Sequence, residues 1–336
     1  MDEDIKKALE SARALPDQAL QAWEESRQIN FPPRYSRVEN LVICGMGASG
    51  LPGHVVTNLY PPKVPTVLVN DYHLPVWAGS KTLVFLSSYS GNTEETISCF
   101  QEAKAGGCLL TGATGGGRLA ELLAAEGTPF YKYEPKHNPS GQPRMGLGYG
   151  LFGQLGILYK LGVLGGTNTL DIEVTQALED LKGSQAPIEG RAQEIAQSAK
   201  GNLVLVLAGE HLAGNAHTFA NQLNETSKSM AAWFSLPEAN HHLLEGLKNP
   251  KVPVLAVFLG SSAYSAPIKK QLEITQDVVR ENGHKTCVYK PSAISKLGEV
   301  IETLCLSGYS TPLLAEASGE NPLVLPWVDY FKEKLR

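Results

Sequence analysis

At 336 residues the chain is long enough for about two domains, and 43% hydrophobic with 19% charged residues is the composition of a globular protein. A formal net charge of −5 argues against general electrostatic attachment to nucleic acid or to an anionic membrane. The apolar runs LVIC, TLVFL and LVLVLA fall far short of the ~20 residues that span a bilayer.

The start, MDEDIKKALE, is charged and unlike a secretory signal. Cys44, Cys99, Cys108, Cys287 and Cys305 form no CxxC pair, as expected of reduced thiols in a cytoplasmic protein. Residues 2–28 carry helical spacing and stop before Pro32-Pro33, which predicts one leading helix. Short β-rich runs then alternate with helical stretches. The runs are Val38–Cys44, Thr66–Asn70, Thr82–Ser88, Cys108–Thr111 and Pro129–Tyr133. The helices include Ser49–Tyr60, Asn92–Ala105 and Gly116–Glu126. His137–Tyr149 (HNPSGQPRMGLGY) is rich in proline and glycine and reads as a functional loop. Helical stretches from about Gly150 to Lys200 lead into a second round. Its strands are Leu203–Leu207, Val252–Phe258 and Thr286–Tyr289, and its helices include Leu212–Met230, Ala266–Glu281 and Ser292–Ala317. Such alternation predicts parallel sheets with helices on both faces. The expected fold class is α/β, two doubly wound, flavodoxin-like domains in tandem, residues 1–165 and 166–336.

The first strand runs into Gly45-Met46-Gly47-Ala48-Ser49-Gly50, a GxGxxG sequence between strand and helix. Asp71 follows the second strand, where a ribose-binding acid would stand, so an NAD(P)-dependent oxidoreductase is a competing reading. The third strand ends in SSYSGNTEET. There Ser88, Ser90 and Thr93 cluster with Gly91 at a helix N-terminus, where unpaired N–H groups and the dipole favour a phosphate monoester. Asn92 with Glu95 three residues on could be a capping box instead. That leaves two further serines around a glycine without a purpose.

SSYSGNTEET and GMGASG together resemble the sugar isomerase (SIS) domain, which binds phosphosugars. Asp71-Tyr72-His73-Leu74, Gly116–Ala120, Arg144, Asn221–Lys228 (NQLNETSK), Leu236–Gly246 (LPEANHHLLEG) and Asn321-Pro322 extend the match. From about residue 38 to 330 the order and spacing resemble the bifunctional phosphoglucose/phosphomannose isomerase family. The resemblance implies a phosphate held by Gly47, Ser49, Ser88, Ser90 and Thr93. Ala48 stands where the family often has a second glycine, which is tolerable while its φ stays negative.

The implied reaction is aldose–ketose isomerisation between glucose or mannose 6-phosphate and fructose 6-phosphate through a cis-enediol(ate), without metal or organic cofactor. One carboxylate suits the C1–C2 proton transfer. Glu225 matches the family's base, although spacing alone reads as a surface Glu225–Lys228 pair. His241 matches the ring-opening histidine, suited to proton exchange near neutral pH. His242 reads as structural, and no third ligand joins His241 and Glu245 to make a zinc site. Arg144 matches an arginine beside the substrate, able to steady the enediolate. Leu313 stands where some relatives have a lysine, and Pro312 is expected to break or kink its helix. The resemblance further implies a homodimer with His241 entering from the neighbour. A non-catalytic phosphosugar-binding module is the other class of reading, and it has no use for Glu225 and His241 together.

Overall fold

The structure, a computed structural model, describes residues 2–166 and 168–335. The chain opens with two helices rather than one. α1 (Asp2–Arg13) and α2 (Leu15–Arg27) part at Ala14, because Pro16 lacks the N–H to continue a helix and fits only its first turn. Then come β1 (Asn40–Cys44), α3 (Leu51–Leu59), β2 (Thr66–Val69), β3 (Thr82–Ser88), α4 (Glu94–Ala105), β4 (Leu109–Thr114), α5 (Gly117–Ala125) and β5 (Tyr131–Lys132). All five strands are parallel, in the order β2-β1-β3-β4-β5. Successive residues of β1 and β3 serve two cores: Leu41, Ile43, Leu83 and Phe85 on one face, Val42, Cys44, Val84 and Leu86 on the other. A strand covered on both sides needs a continuous apolar run, which is what LVIC and TLVFL supply.

Two helices, α6 (Leu147–Lys160) and α7 (Leu170–Ala199), lead to the second sheet. β6 (Leu203–Gly209), α8 (Ala213–Thr226), β7 (Ala231–Leu236), β8 (Val254–Leu259), α9 (Ala266–Glu281) and β9 (Lys285–Tyr289) build a parallel sheet ordered β7-β6-β8-β9. α10 (Lys296–Ser318) and α11 (Pro326–Leu335) complete the chain. The architecture is the expected one, two doubly wound parallel sheets. The larger core runs unbroken from α2 and the first sheet through α6 and α7 to the second sheet and α10. We therefore propose residues 1–165 and 166–336 as topological halves that share one core. Among the described residues, no helix is long and apolar enough to cross a membrane.

Three further elements differ from expectation. α8 stops at Thr226, not Met230, because Lys228 takes φ +51 and cannot continue a helix. The freed residues make β7, an edge strand that the sequence reading passed over. Pro312 does not end α10. Every residue from Leu297 to Ala315 is buried, so packing offsets the ~3 kcal/mol cost of an internal proline. Hydroxyls of Ser307, Ser310 and Thr311 bond back to the carbonyls of Leu304, Leu306 and Ser307 along the same stretch.

α3 and α8 cross with their backbones in close approach at Gly214. A Cβ on Gly214 would lie 2.7 Å from the backbone of Val55. Gly214→Ala should therefore destabilise by about 1–3 kcal/mol. Gly183→Ala, in α7 with nothing within 4 Å of its added methyl, should stabilise by about 0.5–1 kcal/mol. Denaturant midpoints read both, and an unchanged midpoint for Gly214→Ala would contradict the crossing.

Candidate active site

Two loops at the C-terminal ends of β1 and β3 build one side of the site. Gly47 takes φ +48, accessible to glycine at little cost, and opens a single 3-10 turn, Gly47–Ser49, before α3. Ala48 keeps negative φ, so its side chain causes no strain. Asn70, just after β2, pins this loop by donating to the Gly45 carbonyl at 2.5 Å.

In the second loop Ser88 is buried. Its Oγ accepts from the Gly91 N–H at 3.1 Å and bonds to Thr93 Oγ1 at 2.9 Å. Ser90 Oγ accepts from the Asn92 N–H at 3.2 Å. Ser49 Oγ takes the Tyr89 N–H at 2.9 Å and so ties the loops together. Gly91, at φ +71, has no room for a side chain: a Cβ would sit 1.7 Å from the Gly116 carbonyl oxygen. The capping box is absent. Thr93 is the N-cap of α4 and no side chain caps it, while Asn92 Oδ1 accepts from the Arg118 N–H at 3.0 Å instead. The first-turn N–H groups of α4 thus face the hydroxyls of Ser88, Ser90 and Thr93 without a side-chain acceptor, an arrangement suited to an anion.

The other side of the site comes from the end of α8. Glu225 is 28% exposed, with Oε1 4.0 Å from where a Cβ on Gly47 would be. Asn221, one helical turn earlier, donates to Glu225 Oε1 at 3.2 Å. Arg144, 1% exposed, places Nη1 3.6 Å from Glu225 Oε2. Its remaining donors go to Gln142 Oε1 at 2.8 Å, Thr226 Oγ1 at 3.0 Å and the Pro322 carbonyl at 2.5 Å. Burial lowers the Arg144 pKa and the Glu225 carboxylate opposes that shift; a guanidinium stays charged regardless. Lys228 is not on the helix face with Asn221 and Glu225. It lies beyond the helix end, where its ammonium donates to the carbonyls of Thr226, at 3.2 Å, and Asn321. Burial and then Arg144 push its pKa down to about 8.

His241 stands apart. It ends a 3-10 turn, Glu238–His241, after the edge strand β7, is exposed, and makes no hydrogen bond or ion pair among the described residues. His242, also exposed, lies 3.7 Å from Glu238. His241 and Glu245 lie in two separate 3-10 turns, and the described residues hold no cluster of three or more metal-ligating side chains.

The sequence and the fold are similar to those of known proteins. The bacterial phospho-glucose isomerase C-terminal SIS domain family matches residues 188–335. The bifunctional phosphoglucose/phosphomannose isomerase of Caldicellulosiruptor bescii is 30% identical, over 97% of this chain and 98% of its own. That of Aquifex aeolicus is 31% identical, over 89% and 91%. The chain belongs to the bifunctional phosphoglucose/phosphomannose isomerase family. Its fold also matches tagatose-6-phosphate ketose/aldose isomerase from Escherichia coli (TM-score 0.68, 15% identity, 94% of each chain). The C-terminal domain of glucosamine-fructose-6-phosphate aminotransferase from Francisella tularensis gives TM-score 0.70 at 15% identity, covering 94% of this chain and 96% of its own.

Sequence reasoning missed the part played by Lys228 and by the Asn321-Pro322 carbonyls. A lysine two residues past a helix end carries no sign that it turns back inward, and backbone acceptors leave no mark in a sequence. Leu313, where the resemblance implies a lysine in some relatives, is buried and apolar, while the Lys228 ammonium interacts electrostatically with both Arg144 and Glu225. In this family member kcat/KM should fall on the alkaline side with a midpoint near pH 8, as Lys228 loses its proton. Lys228→Arg, which keeps the charge, should move that limb more than about one unit upward. A limb that stays put belongs to another group.

Proposed function

We propose that the chain interconverts glucose 6-phosphate and mannose 6-phosphate with fructose 6-phosphate. Gly47, Ser49, Ser88, Ser90 and Thr93 form the phosphate site, with Ser49 and Ser88 holding the turns and Ser90 and Thr93 at the rim. His241, entering from the second subunit of a homodimer, opens the sugar ring by protonating the ring oxygen and accepting the anomeric proton. Glu225 takes the proton from C2 and returns it to C1, and the reverse. Arg144 and Lys228 stabilise the negative charge that spreads over the C1 and C2 oxygens of the cis-enediolate. The two aldoses differ only at C2, so one base serves both once the substrate rotates about C2–C3. The scheme moves the proton through a single carboxylate and calls on no metal or organic cofactor. Five free cysteines suit a reducing compartment, and we place the protein in the cytoplasm.

The observation that carries this reading is the setting of Glu225. Its oxygens are held by Asn221 and Arg144 at the edge of the glycine loop. A binding module without turnover has no need of a carboxylate fixed in that way. The exposed side chain of His241, without a partner among the described residues, supports delivery across a subunit contact.

Two inactive variants test the scheme together. Glu225→Gln and His241→Ala should each lack activity on both aldose phosphates. Co-expressed in equal amounts, they should regain about a quarter of wild-type activity, because half of the dimers are mixed and each mixed dimer has one intact site. Full activity in either single variant would overturn the assignments. Inactivity of the mixture would place both residues in one chain.

A further inference from the structure

The two halves repeat each other at the place where ligands bind. In the first, β1 leads through a 3-10 turn, Gly47–Ser49, whose first residue has φ +48, into α3. In the second, β6 leads through a 3-10 turn, Glu210–Leu212, whose first residue has φ +45, into α8. β3 and β8, on the far side of β1 and β6, each deliver a serine-bearing loop and then a helix. The N-caps of those helices, Thr93 and Ser265, both make no side-chain cap bond. The loops are tied in both halves, by Tyr89 N–H to Ser49 Oγ at 2.9 Å and by Ser265 N–H to Glu210 Oε1 at 3.0 Å. Each pair of loops sits at the point where strand order reverses, the usual position of an anion or cofactor in doubly wound sheets.

The contents differ. The loops of the first half, the proposed phosphate site, leave Gly47 and Ser90 exposed to solvent. Between those of the second lies the carboxylate of Glu299, from the first turn of α10, with a side chain 0% exposed. Its Oε2 is 2.7 Å from His211 Nε2 and accepts from Ser261 Oγ. Its Oε1 accepts from Ser262 N–H at 3.3 Å and Ser262 Oγ at 3.1 Å. These are the donors an oxyanion takes from a serine loop and a switch-point residue. Burial works against ionisation of Glu299, but the bonds from His211, Ser261 and Ser262 outweigh it and hold the carboxyl below its ordinary range. His211 is 2% exposed, and its Nδ1 is buried without a partner, so the imidazole is committed to this pocket through Nε2.

We propose that Glu299 is a built-in anion occupying the second half's counterpart of the phosphate cleft, so that removing its side chain exposes a latent site for a small carboxylate. Glu299 thereby keeps the second half from taking up sugar phosphate and leaves one substrate site per chain. The proposal rests on the repeat and on the contacts of Glu299. Its test reads the second half alone, and so stands apart from the assignment of Glu225.

Glu299→Ala deletes the atoms of an acetate ion, and acetate is the probe. In chloride the variant should unfold about 5–10 °C below the wild type, the scale for removing a buried carboxylate and leaving its hydrogen-bond donors unpaired in a chain of this size. Replacing chloride by about 100 mM acetate at equal ionic strength should return at least half of that loss and leave the wild type within about 1 °C. A variant that unfolds with the wild type in chloride, or one indifferent to acetate, would overturn the proposal. If the variant does not fold in chloride, refolding yield from urea is compared instead. Acetate must raise it, and equal yields in the two salts count against the proposal.

Discussion

A guanidinium that is 1% exposed must have its charge and its donors satisfied, because an unpaired charge in that setting costs several kcal/mol. Arg144 meets the demand by drawing distant segments of the chain to one point. Gln142 comes from the proline- and glycine-rich loop before α6, Thr226 and Glu225 from the end of α8, and Pro322 from the link between α10 and α11. Lys228 adds a second cation beside the same link, through Asn321, and Asn321 Nδ2 in turn reaches Asp4 on α1 at 2.7 Å. Glu225, the proposed base, thus has its geometry set by both halves of the chain and by both of its ends. The shared core supports this, since it gives the two sheets one packed interior through which loops can be held in fixed relation.

The two switch points show how one topology is used for two purposes. At β1 and β3 the turns are tied to one another by Ser49, Ser88 and Thr93 and leave Gly47 and Ser90 exposed. At β6 and β8 equivalent groups close on Glu299 and become part of the core. On the proposal made above, specificity for one substrate per chain follows from filling a site as much as from building one.

Strand positions were legible because a sheet buried on both faces demands apolar runs, and Thr82–Ser88 falls where the sequence puts it, as does the amphipathic helix Ala266–Glu281. β7 was not, because Ala231–Leu236 is a half-buried edge strand joined to α8 without a turn signal. Pro16 was a visible break that the leading-helix reading passed over. Pro312 was a visible break that burial overrode. In the site, the serine loop could be read from its hydroxyls, and the absence of a capping bond there could not. Asn92 turns to Arg118 for reasons that lie in the packing of Gly91 against Gly116. Arg144 stood out as a lone cation in an apolar loop, but beyond its neighbour Gln142 its partners come from two distant segments, at Glu225–Thr226 and at Pro322, that no local pattern connects. Lys228 was read as a helix-surface ion-pair partner, because the left-handed turn that redirects it depends on tertiary contacts.

The central claim is that Glu225 alone carries the proton between C1 and C2. The direct measurement is solvent exchange: glucose 6-phosphate and mannose 6-phosphate are incubated in D2O and deuterium at C2 is followed by NMR. The wild type should label both aldoses, and Glu225→Gln should slow labelling by at least about 10²–10⁴-fold while it still binds sugar phosphate. Labelling by Glu225→Gln at the wild-type rate would contradict the account.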